Sequence, residues 1–454
     1  MTPASAFPAG TRVRIDSSVR RYGDGRLVLG GAPLRLLRLS ARGAHLLDSW
    51  AADTPIGAAD AETRLARRLV DAGVLHPKAE GGTGFSVCDV TLIVPVKDNA
   101  EGVAQLLAGA SELGDRIVVD DGSGTPIPGA HIRHHTARGP AAARNAGARR
   151  ATTDLIAFLD SDTAPDPHWL HAVLPLFGDP AVAAVAPRIR SLPDGPLGAY
   201  EADRGSLDMG PRPAVVQPGG RVRYVPSAAL VVRRAALSTV GGFDETLRYG
   251  EDVDLVWRLM AGGKIVRYQP DSIVWHHPRD TLRAWLRQRF DYGTSAAPLA
   301  RRHPGRLHCA VGSPAAAGWG LAIAGHPAAG LSAAAIEASV SAWRLRRTGL
   351  PLSAAVAVSA RALLRTGPHL AEAVRRAWWP ILAIVTGRRR RYVLGAAVLP
   401  IIAETLLRRR GPRWAALRLA DDLAYGLGVW SGCLRHRTAA PLLPRLTAIR
   451  GRAR

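Results

Sequence analysis

The chain has 454 residues, room for two or three domains, and its 60 Lys and Arg against 37 Asp and Glu give a formal charge of +23. Such an excess calls for an anionic partner, whether nucleic acid, lipid headgroups or nucleotide phosphate, and charge alone does not choose among them. Three scattered cysteines, Cys88, Cys309 and Cys433, give neither an even disulfide framework nor metal-type spacing and suit a reducing compartment. Charges at Arg12, Arg14 and Asp16 precede any apolar run, so no secretory signal is expected and the protein is placed in the cytoplasm or on the cytoplasmic face of the membrane.

Residues 1–80 read as a small unit. Arg26 to Leu39 predicts two strands around Gly30-Gly31, and Ser40 is a good N-cap for a helix over Ala41 to Trp50. A second helix, near Ala61 to Ala72, ends at Gly73 and leads into Val74-Leu75. This hairpin-plus-helices pattern resembles the small winged-helix peptide-binding domains of peptide-derived natural product pathways; a cap packed on the next domain is the plainer alternative. A DNA-binding winged helix is disfavoured by Asp53, Asp60 and Glu62, which dilute a basic recognition face, so no nucleic-acid partner is expected. Pro77 to Ser86, ending in Gly81-Gly82-Thr83-Gly84 and Phe85, reads as a linker.

From 88 to 300 strands and helices alternate, which predicts an α/β fold with a mostly parallel sheet and helices on both faces. The strand Val90 to Val94 should stop at Pro95, where the backbone can meet a ligand. The strand Arg116 to Val119 ends at Asp120-Asp121-Gly122-Ser123, carboxylates able to accept hydrogen bonds from a base or ribose, or simply an Asx turn. After Gly139, a small-residue helix carries Arg144 within reach of a diphosphate or of the Asp160 loop. The wholly apolar run Leu155 to Leu159 stops at Asp160-Ser161-Asp162. On an extended chain those two carboxylates share a side and could hold one hard cation with its phosphate oxygens, unless they only cap a solvated turn.

Taken in order, Pro95, Asp120-Asp121-Gly122-Ser123, Arg144-Asn145-x-Gly147 and Asp160-x-Asp162 resemble the nucleotide-sugar half of family-2 glycosyltransferases of the GT-A (Rossmann-like) fold. Downstream, Val225 to Arg234 resembles the strand entering the acceptor half, Gly241-Gly242-Phe243-Asp244-Glu245 its next turn, and Gly250-Glu251-Asp252-Val253-Asp254 its acidic helix motif. Inverting transfer needs a base that takes the acceptor hydroxyl proton opposite the departing nucleotide diphosphate. The resemblance assigns that role to Asp252, with Glu251 on the acceptor side; Glu251 and Asp254 remain alternatives, as does a first turn that merely suits the helix dipole. Pro95, Asp120, Asp121, Arg144 and Asp160 fall on the nucleotide-sugar side. Asp162 would hold a divalent cation, Mg or Mn, to offset charge gained by the leaving diphosphate. Lys264 to Tyr268 and Ile273 to His277 read as two further strands, and His276 matches a family histidine near metal or diphosphate.

Residues 301–454 shift to Ala, Gly, Leu and Arg. Ala310 to Ile336 is uncharged but interrupted by His326-Pro327, a marginal membrane span, while Ala377 to Gly387 and Tyr392 to Ala403 are too short. Bordered by Arg388 to Arg391 and Arg408 to Arg410, they suit helices lying on an anionic inner-leaflet surface, or a basic soluble bundle. As a whole, the peptide-recognition-like domain, the GT-A domain and the basic helical region resemble the glycosyltransferases of mycofactocin systems. That resemblance implies transfer of glucose from a nucleotide donor onto premycofactocin, a peptide-derived small molecule, and growth of a β-1,4-linked oligosaccharide. A membrane-associated transferase for a cell-wall or lipid-linked glycan, and a basic nucleic-acid- or membrane-binding protein with a degenerate transferase domain, are the other readings.

Overall fold

A computed structural model describes residues 6–79, 84–312, 314–380 and 384–446, and the chain forms two compact units, Met1–Asp280 and Thr281–Arg454. Glu80 to Thr83, in the expected glycine-rich linker, lie outside the described residues.

The first unit opens with β1 (Val13–Ile15), β2 (Arg20–Tyr22), β3 (Leu27–Gly30) and β4 (Arg35–Arg38), followed by α1 (Ala41–Ala51), α2 (Asp60–Asp71) and β5 (Leu75–Pro77). Strands β2, β3 and β4 form an antiparallel meander, and β1 pairs with β5. Ser40 caps α1, its Oγ accepting from Gly43 N at 3.1 Å. Leu47 and Trp50 of α1 close on Leu69 and Val70 of α2 and on Val28, an apolar core of its own. The sequence pattern anticipates β3, β4 and both helices; β1 and β2, three residues each, are too short for a strand pattern to find them by.

The rest of the unit is built on a nine-stranded mixed sheet. Its elements are β6 (Val90–Val96), α3 (Ala100–Gly109), β7 (Asp115–Asp121), β8 (Ile132–His134), α4 (Pro140–Arg150), β9 (Leu155–Leu159), β10 (Thr163–Pro165), β11 (Val182–Ser191), α5 (Gly195–Arg204), β12 (Ala214–Val215), β13 (Ala229–Arg233), α6 (Arg234–Thr239), α7 (Glu251–Ala261) and β14 (Ile265–His276). The strand order is β10-β14-β11-β13-β9-β6-β7-β8, with β12 beside β14. Strands β9, β6, β7 and β8 are mutually parallel, while β13 runs antiparallel between β9 and β11. The chain steps outward from β6 to β7 and β8 and then returns to the other side of β6 as β9. Such a switch point opens a crevice at the carboxyl ends of β6 and β9, where α/β sheets bind ligands.

Two expectations are corrected. Pro95 does not stop its strand: β6 continues to Val96, with Pro95 buried and in register with Val119. Proline is tolerated there because the ladder with β9 has already ended at Ile93. Lys264 to His277 is not two strands but one, β14, whose pairing with β11 jumps from Gln269 to Ile273; the Pro270-Asp271 pair that reads as a turn makes an irregularity in a continuous strand.

The second unit is helical: α8 (Leu282–Thr294), α9 (Ala296–Arg302), α10 (Pro314–Ile323), α11 (Pro327–Arg347), α12 (Leu352–Arg376), α13 (Gly387–Leu407) and α14 (Pro412–Arg435). The uncharged stretch Ala310 to Ile336 is divided between α10 and α11, because Gly325 adopts φ +97° and Pro327 starts a new helix. No described helix is long and apolar enough to cross a membrane. At the centre of the unit, fully buried Asp422 on α14 accepts from Arg375 Nε and Arg376 Nε, each at 2.6 Å, and from Arg418. A groove of about 750 Å³ is lined by Leu286, Phe290, Leu423 and Leu427.

Candidate active site

Four segments meet at the switch point. The end of β6 passes into Lys97-Asp98, where Asp98 adopts φ +54° and its carboxylate accepts from Gly124 N at 2.8 Å. Its own N–H donates to Ser123 Oγ at 2.9 Å. These bonds tie the end of β6 to the turn after β7. Asn99 caps α3 through Gly102 N and donates from Nδ2 to Ser161 O at 3.0 Å, tying the same corner to the Asp160 turn.

After β7, Asp120 is completely buried and accepts from Ser123 N (2.8 Å) and Ile127 N (3.3 Å). Asp121 accepts from Arg138 N (2.9 Å) and Gly139 N (2.8 Å) and lies 2.7 Å from His134 Nδ1. Both carboxylates therefore brace the backbone of the crevice wall. Burial works to raise the Asp120 carboxyl, but hydrogen bonds from Ser123 and Ile127 and the charge of Arg133 hold it below its ordinary range.

The Asp160 to Asp162 stretch does not continue β9 as an extended chain. Thr163 N and Oγ1 both donate to Asp160 O, at 3.0 and 2.7 Å, so the segment turns and its two carboxylates acquire different partners. Asp160 meets Arg144. Asp162 lies 3.5 Å from His276 Nε2 and 3.7 Å from Arg279. The antiparallel register of β10 with β14, Thr163 against His276, brings that histidine to Asp162. Burial works to raise Asp162, and contacts with His276 and Arg279 outweigh it, leaving the carboxyl below its ordinary range and ionised at neutral pH. Among the described residues, the one set of three His, Cys, Asp or Glu donors within 4.8 Å of one another is Glu112, His168 and His171, which precedes β7 and follows β10 rather than standing at the switch point.

Arg144, buried on α4, joins the two halves of the site. Its guanidinium donates to Asp160 Oδ1 at 2.6 Å and Glu251 Oε1 at 2.9 Å and lies over the Phe243 ring at 5.5 Å. Of the two reaches open to it in sequence, it takes the Asp160 loop. Neighbouring Asn145 accepts from Phe243 N (2.9 Å) and donates to Phe243 O (2.8 Å), clamping the Gly241-Gly242 turn before α7. A Cβ at Gly242 would meet Asn145 Oδ1 at 2.6 Å, and its φ is +75°, so glycine is required.

Gly250, at φ +79°, starts α7 and sets Glu251 and Asp252 on its first turn. Asp252 lies deep in the fold yet keeps solvent-accessible surface; its Oδ2 accepts from Ser227 N at 3.3 Å. Burial raises the Asp252 carboxyl despite bonds from Val253 and Ser227 and the Arg144 charge. Burial first, and the adjacent Asp252 second, push Glu251 up to about 7 against Arg144. Two acids side by side cannot both ionise freely, so one proton is retained by the pair well above the ordinary carboxyl range. Asp254 is held by Arg258 Nε at 2.7 Å, which removes it from the crevice.

Asp160 and Glu251 thus hold one arginine whose charge also reaches Asp252, Asp162 and His276 form a second pole, and Asp120 and Asp121 sit in the wall. Sequence reasoning missed Ser227, whose contribution is a backbone N–H without a side-chain signature, and Asn145 as a clamp. It also missed Arg279, although that residue follows His276 by three positions.

This arrangement, acids grouped at the switch point of a mixed Rossmann-like sheet, is that of a nucleotide-sugar-dependent transferase of the GT-A class. Residues 91–239 match the model of glycosyl transferase family 2. The chain is 41% identical over 474 residues to pre-mycofactocin glycosyltransferase of Mycobacterium tuberculosis, an alignment covering 98% of this chain and 99% of that protein. The chain belongs to glycosyl transferase family 2, and its full-length likeness is to the mycofactocin member of that family. A shorter match, 36% identical over 114 residues, 23% of this chain and 37% of the other, is to N-acetylglucosaminyl-diphospho-decaprenol L-rhamnosyltransferase of Mycobacterium tuberculosis.

Proposed function

We propose that this chain transfers a hexose, glucose, from a nucleotide-sugar donor to premycofactocin with inversion at the anomeric carbon, and extends the product as a β-1,4-linked oligosaccharide. The full-length likeness to a pre-mycofactocin glycosyltransferase supports the acceptor. The observation that carries the chemistry is the placement of Asp252, half-buried next to the Arg144 bridge from Asp160 to Glu251 and held by Ser227 N rather than by the arginine's hydrogen bonds.

In this reading Asp252 takes the acceptor hydroxyl proton as the oxygen bonds to the anomeric carbon and the bond to the diphosphate breaks on the opposite face. Burial raises its carboxyl, which makes it a stronger base than an ordinary aspartate. Glu251 stands on the acceptor side and, through Arg144, keeps Asp252 and Asp160 at fixed separation. Pro95, Asp120 and Asp121 shape the wall against which the nucleotide lies, and Asp160 faces the ribose. Asp162 and His276 are oxygen and nitrogen donors 3.5 Å apart, and an ionised Asp162 fits a divalent cation, Mg or Mn, whose charge would stabilise the departing diphosphate. Residues 1–80, a peptide-recognition-like domain, present the acceptor to the transferase residues 88–300.

Residues 301–454 supply a membrane-facing helical region, placing the enzyme at the cytoplasmic face of an anionic bilayer. Residues 281–454 hold 28 arginines and 6 acidic residues, and every exposed large apolar residue among those described except Leu34 lies there. That composition also favours the second reading, a transferase for a lipid-linked glycan.

The test is incubation of the purified chain with several nucleotide sugars and Mg²⁺ or Mn²⁺, with premycofactocin or a lipid-linked acceptor, followed by mass spectrometry. Hexose increments on premycofactocin are expected. Increments only on the lipid acceptor would select the second reading, and none on either would remove both.

A further inference from the structure

One buried ion pair in the first unit is not used by the reaction as described. Asp16, in the turn after β1, has a carboxylate only 2% exposed that faces Arg221 in bidentate fashion, Nη1 to Oδ2 at 2.9 Å and Nη2 to Oδ1 at 3.1 Å. It also accepts from Ser18 N at 2.9 Å and contacts His76 Nε2 at 2.9 Å, and His76 Nδ1 lies 3.5 Å from Arg267 of β14. Burial would raise Asp16, but these donors hold its carboxyl far below the ordinary range; burial keeps His76 down, hence neutral and fit to donate one N–H.

Arg221 belongs to a segment that ends at the proposed base. From β12 the chain makes a tight turn, Gln217 N donating to Val222 O and Gly220 N to Gln217 O, both at 3.0 Å. On one side the turn is held by the N-terminal domain, through Asp16 and through Gln217 Nε2 donating to Ala32 O. Arg221 also donates to Pro213 O at 2.9 Å, which closes the turn on itself. On the other side it is held by α7, where Trp257 Nε1 donates to Arg223 O at 3.0 Å. Four residues further on, Ser227 N donates to Asp252 Oδ2. A buried ion pair adds little net stability against its desolvation cost, but it fixes register, and here it fixes the register of a segment touching the reacting carboxylate.

We propose that residues 213–227 form a strap through which the N-terminal domain sets the acceptor side of the site, and that Asp16 and Arg221 are positioning residues acting through Ser227 on Asp252. The inference rests on Asp252 as the base. A domain that receives a peptide-derived acceptor is thereby linked to the carboxylate that must meet the acceptor hydroxyl.

Full-length Arg221→Ala, Arg221→Lys and Asp16→Asn test it, with premycofactocin transfer, donor hydrolysis to water and donor affinity measured side by side. A misplaced reacting group costs on the order of 10- to 100-fold, so Arg221→Ala and Asp16→Asn should lower kcat/KM for the acceptor by about that much. Donor affinity should stay within about twofold, since uniform binding of the donor is untouched. Arg221→Lys, which keeps charge but loses the bidentate grip, should fall between. Loss of the Ser227 N–H contact should also raise the acid limb of the acceptor pH profile by about half a unit in Arg221→Ala. Thermal melts identify the folded variants, and Arg221→Lys, which keeps a charge beside buried Asp16 while losing the bidentate grip, carries the same test if Arg221→Ala does not fold. A folded Arg221→Ala with unchanged acceptor kinetics and pH limb overturns the strap, as does equal loss of donor binding. Asp252→Asn serves as control: retained transfer there defeats the base and the strap together, whereas lost transfer there with a normal Arg221→Ala defeats the strap alone.

Discussion

The two units treat buried charge in opposite ways. At the switch point of the first, one arginine, Arg144, stands between carboxylates; in the second, one carboxylate, Asp422, stands among Arg375, Arg376 and Arg418. Residues 1–280 carry 32 basic and 31 acidic side chains, whereas residues 281–454 carry 28 and 6, so nearly all of the +23 belongs to the helical unit. Burial first, and the neighbouring acid Asp252 second, push Glu251 up to about 7 and leave protons to move near neutrality. Around Asp422, burial alone would raise the carboxyl, but excess base outweighs it and lowers the group to about 2, so it holds no proton at working pH. A site needs a carboxyl poised to change charge, and a structural knot needs one that does not.

The sharpest way to break this comparison is Asp422→Ala. Buried Arg375 and Arg418 and half-buried Arg376 would lose their common partner, and removal of one member of a buried ion pair costs about 3–5 kcal/mol, read by urea denaturation. The sign with pH follows from the depressed carboxyl: its contribution is present above the unfolded value near 3.8 and is lost as pH falls towards 2. Wild-type and Asp422→Ala stabilities should therefore converge in acid. Equal stability at pH 7 would mean the knot is not structural.

Next in size is Asp162→Ala, which should weaken Mg- or Mn-dependent donor binding by about 100-fold in calorimetry. Unaltered affinity would dissociate Asp162 and His276 from the cation. For the helical unit, replacing Arg388 to Arg391 by Gln should reduce partition onto vesicles of phosphatidylglycerol by about 1 kcal/mol per residue and leave neutral vesicles unaffected. Equal pelleting of variant and wild type would detach the excess charge from any lipid surface.

The smallest effect concerns the coupled acids. Transfer should fall towards acid pH, as Asp252, raised by burial, takes up its proton beside Glu251, itself pushed up to about 7 by burial and the Asp252 charge. Glu251→Gln removes a neighbouring negative charge and should move that limb of kcat/KM down by roughly half to one unit. An unmoved limb would show that Asp252 titrates without regard to Glu251.

The acidic corner around Arg144 was legible because it is carried by side chains at short spacing. Gly250-Glu251-Asp252 announces a glycine-started acidic helix, and Leu155 to Leu159 announces a buried strand ending at Asp160. What was not legible depends on backbone and on distant pairing. The turn after Asp160, which gives Asp160 and Asp162 separate partners, is fixed by Thr163 donating back to Asp160 O, and the strap from 213 to 227 by an aspartate some two hundred residues away. Strand β11 contains Pro187, Arg188 and Arg190 and shows no clean alternation, although it pairs along much of β14. Helices α12 and α13 run through Pro368 and Pro400, positions at which a sequence reading would end them.

The central claim, that Asp252 removes the acceptor proton in a site gathered around Arg144, is tested most directly by Asp252→Asn. Loss of a general base lowers turnover by about 10²- to 10⁴-fold. The account expects that fall in hexose transfer to premycofactocin with donor affinity unchanged in the same preparation; transfer at the wild-type rate by Asp252→Asn would contradict it.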